Sequence, residues 1–209
     1  MNIPYDTAKG LIKEADVLLF RAGKFPGIGW WISSYTKSPY SHAGLAHWDD
    51  GKLYCVEFRE FKGSRKYKMD DYIAEGAQID VFRSVETYVH PIIQQDEFDD
   101  EYYVSYHEHR FTADIALAIT AEGLKHVGEG YGWRNIWQMG MTYIPFLRLG
   151  RKVIKNGEPD PKSFVCSTLV TYAYRKHYID PVPFLSDKMT SPGDLARSGL
   201  FSRLFSIKS

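Results

Sequence analysis

The feature that most narrows the fold is a pair of apolar runs, residues 42–48 and 53–59, split by Asp49-Asp50-Gly51-Lys52. Asp and Gly between two such runs predict a β-hairpin, because a tight hairpin turn needs the positive φ angles that these residues tolerate. Alternation along the strands puts His42, Gly44 and Ala46 on one face of the first, and Cys55, Glu57 and Arg59 on one face of the second. Matching those faces sets Glu57 beside His42, where a carboxylate can orient an imidazole. The plainer outcome of the same pairing is a cross-strand salt bridge at a partly exposed histidine. Ala43 and Gly44, both small, leave room beside His42 for another backbone or a ligand.

Other segments extend this frame. Residues 16–21 read as a short buried strand and 78–83 alternate as another. Apolar groups at 28, 31, 32 and 35 have helical spacing, ended by Ser38-Pro39-Tyr40, since a residue before proline is pushed out of the helical region. Thr112 is a candidate N-cap for a helix running to about Val127. Residues 164–177 predict a second helix, with Val165, Leu169, Tyr172 and Ala173 on one face. Prolines break the chain between Pro181 and Pro192, before a short apolar tail. Strands early and helices late predict an α+β fold rather than a wound parallel sheet. With 209 residues, 44% of them hydrophobic, the chain is expected to form a single domain over 1–209 with a real core.

Lys+Arg and Asp+Glu both number 26, so the formal net charge is zero, which argues against a uniformly basic nucleic-acid binder. Residues 1–109 carry 12 basic and 18 acidic side chains and residues 110–209 carry 14 and 8, an opposition that favours folding the halves against one another. The start, Met1-Asn2-Ile3-Pro4-Tyr5-Asp6, lacks the basic and apolar regions of a signal peptide, and no apolar run reaches membrane-spanning length. These features lead to the expectation of a cytoplasmic protein. Cys55 and Cys166 form no metal or disulfide-framework pattern, and His107-Glu108-His109 offers only two ligands on one strand face. No metal and no cofactor are expected.

Cys166 opens the second predicted helix, where unpaired N–H groups and the helix dipole favour a thiolate. A buried small hydrophobe is the plainer reading of an arbitrary cysteine, and a nucleophile needs a base elsewhere in the chain.

At this point the residues resemble a family. Asp16-Val17-Leu18-Leu19-Phe20-Arg21, Thr36-Lys37-Ser38-Pro39-Tyr40-Ser41-His42-Ala43-Gly44-Leu45, Val56-Glu57 and Phe164-Val165-Cys166-Ser167-Thr168-Leu169-Val170 resemble the circularly permuted NlpC-like papain-fold proteins, related to the lecithin:retinol acyltransferase-like group. The order is His, acid, then Cys. Tyr131-Gly132-Trp133 is similar to the segment before the nucleophile helix, and Ser191-Pro192-Gly193-Asp194-Leu195 to the closing piece. About residues 85–110 and 134–160 find no counterpart.

The resemblance implies a papain-like fold in which a small antiparallel sheet, built on 16–21, 42–48, 53–59 and 78–83, packs on the Cys166 helix. It implies that Cys166 attacks a carbonyl carbon, His42 shuttles the proton and Glu57 holds His42. Tyr131, Tyr40 and Ser41 fall where substrate would bind. Cys55 is expected to be buried, and Cys166 accessible and rich in thiolate. Glu57→Gln is expected to be milder than loss of Cys166 or His42, because an amide can still hold the ring, though it no longer favours the charged imidazolium.

The function expected is a cysteine hydrolase that cleaves an amide bond in a peptide, a cell-wall peptide fragment or an amino-acid amide. A lipid acyltransferase or thioesterase passes through the same acyl-enzyme and is the alternative. A non-catalytic module binding an amino compound is the third reading, and an intact Cys, His and acid set argues against it. The stretch 144–152, which mixes apolar and basic groups, leaves membrane contact open; a plain surface loop is the simpler reading.

Overall fold

The elements, in a computed structural model, run β1 (Asn2–Pro4), α1 (Tyr5–Lys9), β2 (Val17–Arg21), β3 (Tyr40–Asp49), β4 (Lys52–Arg59), β5 (Gly63–Lys68), α2 (Met69–Ala74), β6 (Ile79–Ser84), β7 (Thr87–Gln95), β8 (Tyr102–Arg110), α3 (Ala113–Leu124), α4 (Cys166–Arg175), α5 (Pro192–Arg197) and β9 (Phe201–Lys208). The structure describes residues 1–23, 33–34, 36–59, 62–95, 102–130, 166–183 and 185–208, with backbone alone at 90–95, 102–104 and 208. The fold is α+β. Seven strands form one sheet in the order β1-β9-β6-β2-β3-β4-β5, and β7 and β8 form a separate hairpin.

Val17, Leu18, Leu19 and Phe20 are apolar in succession because β2 is central: β3 and β6 flank it and helices cover both faces. One face packs Val17, Leu19, Ala43, Leu45, Val56 and Phe58 against Ile119 of α3, Leu169 and Ala173 of α4 and Leu195 of α5. The other packs Leu18, Phe20, Ala46, Cys55 and Val81 against Ala8 of α1 and Met69 and Tyr72 of α2. The β3–β4 turn takes the expected form, with Asp50 at φ 52° and Gly51 at φ 68°. Leu45 pairs with Val56 and Ala46 with Cys55, so the faces of the hairpin match as the alternation predicts.

Thr112 caps α3 by accepting from the Ile115 N–H. The four predicted strands are contiguous in the sheet as β6-β2-β3-β4, but the sheet is larger than the expected small one. It gains β1, β5 and β9, and the β1–β9 pair is parallel. The apolar tail is the strand β9. Residues 85–110 are largely the β7–β8 hairpin. In the predicted helix 28–37, residues 33, 34 and 36 are helical, and its apolar positions lie outside the described residues. No helix among the described residues is long and apolar enough to cross a membrane.

Candidate active site

His42 and Glu57 reach their positions through the hairpin. Phe20 pairs with His42 across β2 and β3, and its ring meets the imidazole edge-on at 5.2 Å, which fixes the plane of the ring. From β4, Glu57 brings Oε2 to 2.5 Å from His42 Nε2. The pair is buried, with side-chain exposures of 6% and 0%. The other imidazole nitrogen, Nδ1, is buried and makes no hydrogen bond among the described residues.

Gly44 makes this packing possible. A Cβ there would stand 2.3 Å from Cys55 Sγ, 3.0 Å from the Val56 carbonyl oxygen and 3.3 Å from Glu57 Cβ. Gly44→Ala is therefore expected to lower stability by about 1–3 kcal/mol through overpacking, measured by denaturant unfolding. It should also push Glu57 off His42; an unchanged unfolding midpoint would show that β4 gives way freely.

Cys166 comes from the opposite face of the sheet. Helix α4 is anchored by buried Leu169, Val170, Ala173 and Tyr174. The Tyr174 hydroxyl donates to the Ala15 carbonyl at 2.9 Å, Ser167 donates to the Thr190 carbonyl at 2.6 Å and Thr168 to the Asp187 carbonyl at 3.1 Å. So held, Cys166 at the start of the helix stands beside the His42 ring and interacts with it.

The electrostatics follow. Burial alone would drive His42 toward its neutral form, but Glu57 and then Cys166 outweigh it and push its pKa up to about 10. Burial likewise opposes the charge on Glu57, yet His42, Tyr72 and Arg65 bring its pKa down to about 2. The two form an imidazolium–carboxylate pair near neutrality.

Cys166 is only 3% exposed, so the accessibility expected of it is not met. It differs from Cys55 in surroundings instead. Cys55 is fully buried, as expected, with Sγ 3.8 Å from Glu57 Oε2; burial and the carboxylate hold its thiol well above the ordinary range. Both cysteines are free thiols.

The predicted substrate residues fare differently. Tyr40 is buried in the core with its hydroxyl 2.5 Å from Asp80 Oδ2, so it offers packing rather than a free hydroxyl. Ser41 is buried where the β2–β3 register shifts. Tyr131 and the 144–152 stretch lie outside the described residues. A cavity of about 350 Å³, lined by Arg21, Gln78, Asp80 and Ser206 among others, includes none of His42, Glu57 and Cys166.

Reasoning from sequence missed the partners of the acid. Arg65 Nε donates to Glu57 Oε1 at 2.8 Å, and the Tyr72 hydroxyl donates to the same oxygen. Arg65 lies directly opposite Glu57 on β5. Its strand, Gly-Ser-Arg-Lys-Tyr-Lys, has no apolar alternation to announce it.

No family model matches the chain, and no curated protein matches it. Among solved structures, the crystal structure of metalloprotein yiiX from Escherichia coli O157:H7 is similar, with 11% identity over 94% of this chain and 97% of that one and a TM-score of 0.59. At that identity the likeness concerns the fold. No group of three or more His, Cys, Asp or Glu among the described residues of this chain is placed to hold a metal ion. His107 and His109 stack with centroids 6.4 Å apart, and with only two side chains they do not make such a group.

Proposed function

We propose that the chain is a cysteine hydrolase of the circularly permuted NlpC-like papain fold, cleaving an amide bond in a peptide or cell-wall peptide fragment through an acyl-enzyme on Cys166. The observation that carries this reading is the buried His42. It has Nε2 on Glu57, Nδ1 without a hydrogen bond, and Cys166 beside the ring. The chain order of His strand, acid strand and Cys helix agrees with the permuted arrangement.

In the first half-reaction the Cys166 thiolate attacks the amide carbon, forming a C–S bond as the carbonyl electrons move to oxygen. The Cys166 backbone N–H, in the first turn of α4, faces that oxyanion. The oxyanion collapses, the C–N bond breaks, and His42 gives its proton to the leaving amine. Neutral His42 then takes a proton from water, whose oxygen attacks the thioester. The C–S bond breaks, and thiolate and imidazolium are restored. Glu57 stays ionised throughout and keeps the ring in place.

The test is alkylation. At neutral pH iodoacetamide should label Cys166 well before Cys55, read by peptide mass spectrometry, and His42→Ala should slow that labelling. Equal rates for both thiols, or no effect of His42, would overturn the reading. Incubation with candidate peptide amides and acyl donors should leave an acyl mass on Cys166, and its identity separates amidase from acyltransferase chemistry.

A further inference from the structure

We propose that Arg65 and Tyr72 are positioning residues that impose the direction of every proton around Glu57, and through it the tautomer of His42. The proposal deepens the catalytic reading of Cys166, His42 and Glu57 and rests on it.

The Tyr72 hydroxyl has one proton to give and two lone pairs. Arg59 Nη1 donates to it at 2.9 Å, and Arg65 Nη2 donates to it at 2.9 Å. A guanidinium is always charged and never accepts, so both lone pairs are filled. The Tyr72 proton is left with one destination, Glu57 Oε1, which also receives Arg65 Nε. That oxygen therefore cannot carry a proton of its own. Oε2 faces His42 at 2.5 Å and also receives the Cys55 S–H at 3.8 Å. The guanidinium charge and two donors on Oε1 favour the ionised carboxylate, so the ring presents N–H at Nε2 and leaves Nδ1 for Cys166. The sequence of donors runs from the arginines through Tyr72 to Glu57, and meets His42 from the other side.

Every group around Glu57 agrees with this direction. His42 comes from β3, Cys55 and Arg59 from β4, Arg65 from β5 and Tyr72 from α2; Cys166 of α4 stands beyond His42. None of the four that contact Glu57 must accept from it. The cluster is also held rigidly. Tyr72 is 1% exposed and tilts against Phe20 at 4.7 Å, the same ring that braces His42. The Arg65 guanidinium lies 3.9 Å from the Tyr67 ring centroid, a cation–π contact that restrains the fork. Burial opposes the charge on Glu57; His42 is the largest counterweight, and the hydrogen bonds from Tyr72 and Arg65 add to it.

The experiment is the pH dependence of Cys166 alkylation by iodoacetamide in the full chain, compared among the wild type, Tyr72→Phe, Arg65→Gln and Arg65→Lys. Losing either donor lets Glu57 take a proton at higher pH, and His42 then loses its counter-charge. The acid limb of the profile should move up by about one pH unit in Tyr72→Phe and Arg65→Gln. Arg65→Lys keeps the charge but not the fork, so it should move the limb only part of the way. As the mildest change, it also carries the test if the other two fail to fold. A uniform drop in rate with the limb unmoved would overturn the proposal while leaving the catalytic reading intact. A wild-type Cys166 that alkylates no faster than a free cysteine at any pH tested would overturn the catalytic reading itself, and this proposal with it.

Discussion

Cys166→Ala is expected to cost roughly 10⁶-fold in turnover on any amide the protein cleaves, the scale seen when a hydrolase loses its nucleophile. Cys55 is not expected to substitute: it is fully buried, and the neighbouring Glu57 carboxylate disfavours its thiolate. His42→Ala should fall nearly as far. On the proposed mechanism it removes the cation that stabilises the thiolate and the acid that protonates the leaving amine, the second of these alone contributing roughly 10²–10⁴-fold. It also leaves Glu57 buried and without its histidine. Because the proposed mechanism makes nucleophile and base act as one unit, the double variant should be little worse than Cys166→Ala alone. Single-turnover kinetics on the three variants, with folding checked by circular dichroism, provide the measurement. Additive losses would mean that His42 and Cys166 do not work on the same step.

The hairpin carrying His42 and Glu57 was legible because two strong local signals coincide there. Asp50-Gly51 sets the turn, and alternation sets the faces, so the register follows without tertiary information. Helix α3 was legible through its Thr112 cap, and α4 through its apolar spacing. The edge strand β5 was not, since an edge is exposed on one side and carries Arg and Lys where a central strand carries Val and Leu. Helix α2 spans only six residues, too few for a helical period to declare itself. The second layer of the site lies on these two weak elements. Arg65 and Tyr72 therefore stay hidden until β5 is paired in register with β4. The surroundings of Tyr40, assigned to substrate through the resemblance, were not legible either: its hydroxyl meets Asp80 of β6, two strands away, and that contact appears only once β2 is paired with both β3 and β6.

Glu57→Gln, expected from the sequence to be milder than loss of Cys166 or His42, is expected from the structure to be severe. The carboxylate oxygens of Glu57 receive only donors: Arg65 Nε–H and Tyr72 O–H at Oε1, His42 and the Cys55 S–H at Oε2. A glutamine must turn its NH₂ toward one side or the other. Turned to Oε1 it meets the Arg65 N–H, which cannot accept, and the Tyr72 oxygen, whose lone pairs the arginines occupy. The less costly choice turns NH₂ toward His42. The ring must then present a bare Nε2 and carry its proton on Nδ1, the nitrogen needed for Cys166. That is the wrong tautomer for the base, and an equivalent Asp→Asn change in the serine-protease triad costs about 10⁴ in kcat. Turnover should fall on that scale. The ¹⁵N shifts of the His42 ring at neutral pH should show both nitrogens protonated in the wild type and Nε2 bare, with Nδ1 protonated, in Glu57→Gln. Stability should report the same loss with a defined pH window. Glu57, held down to about 2, contributes stability that is full above its ordinary pKa of 4.5 and is lost as pH falls through 2. His42, held up to about 10, contributes stability that is full below 6.5 and is lost as pH rises through 10. The advantage of the wild type over Glu57→Gln should therefore be greatest between pH 4.5 and 6.5. Breaking a buried pair by removing one partner sets its size at roughly 3–5 kcal/mol. A stability difference independent of pH, with the Nε2 proton retained, would mean that Glu57 holds the ring by shape alone.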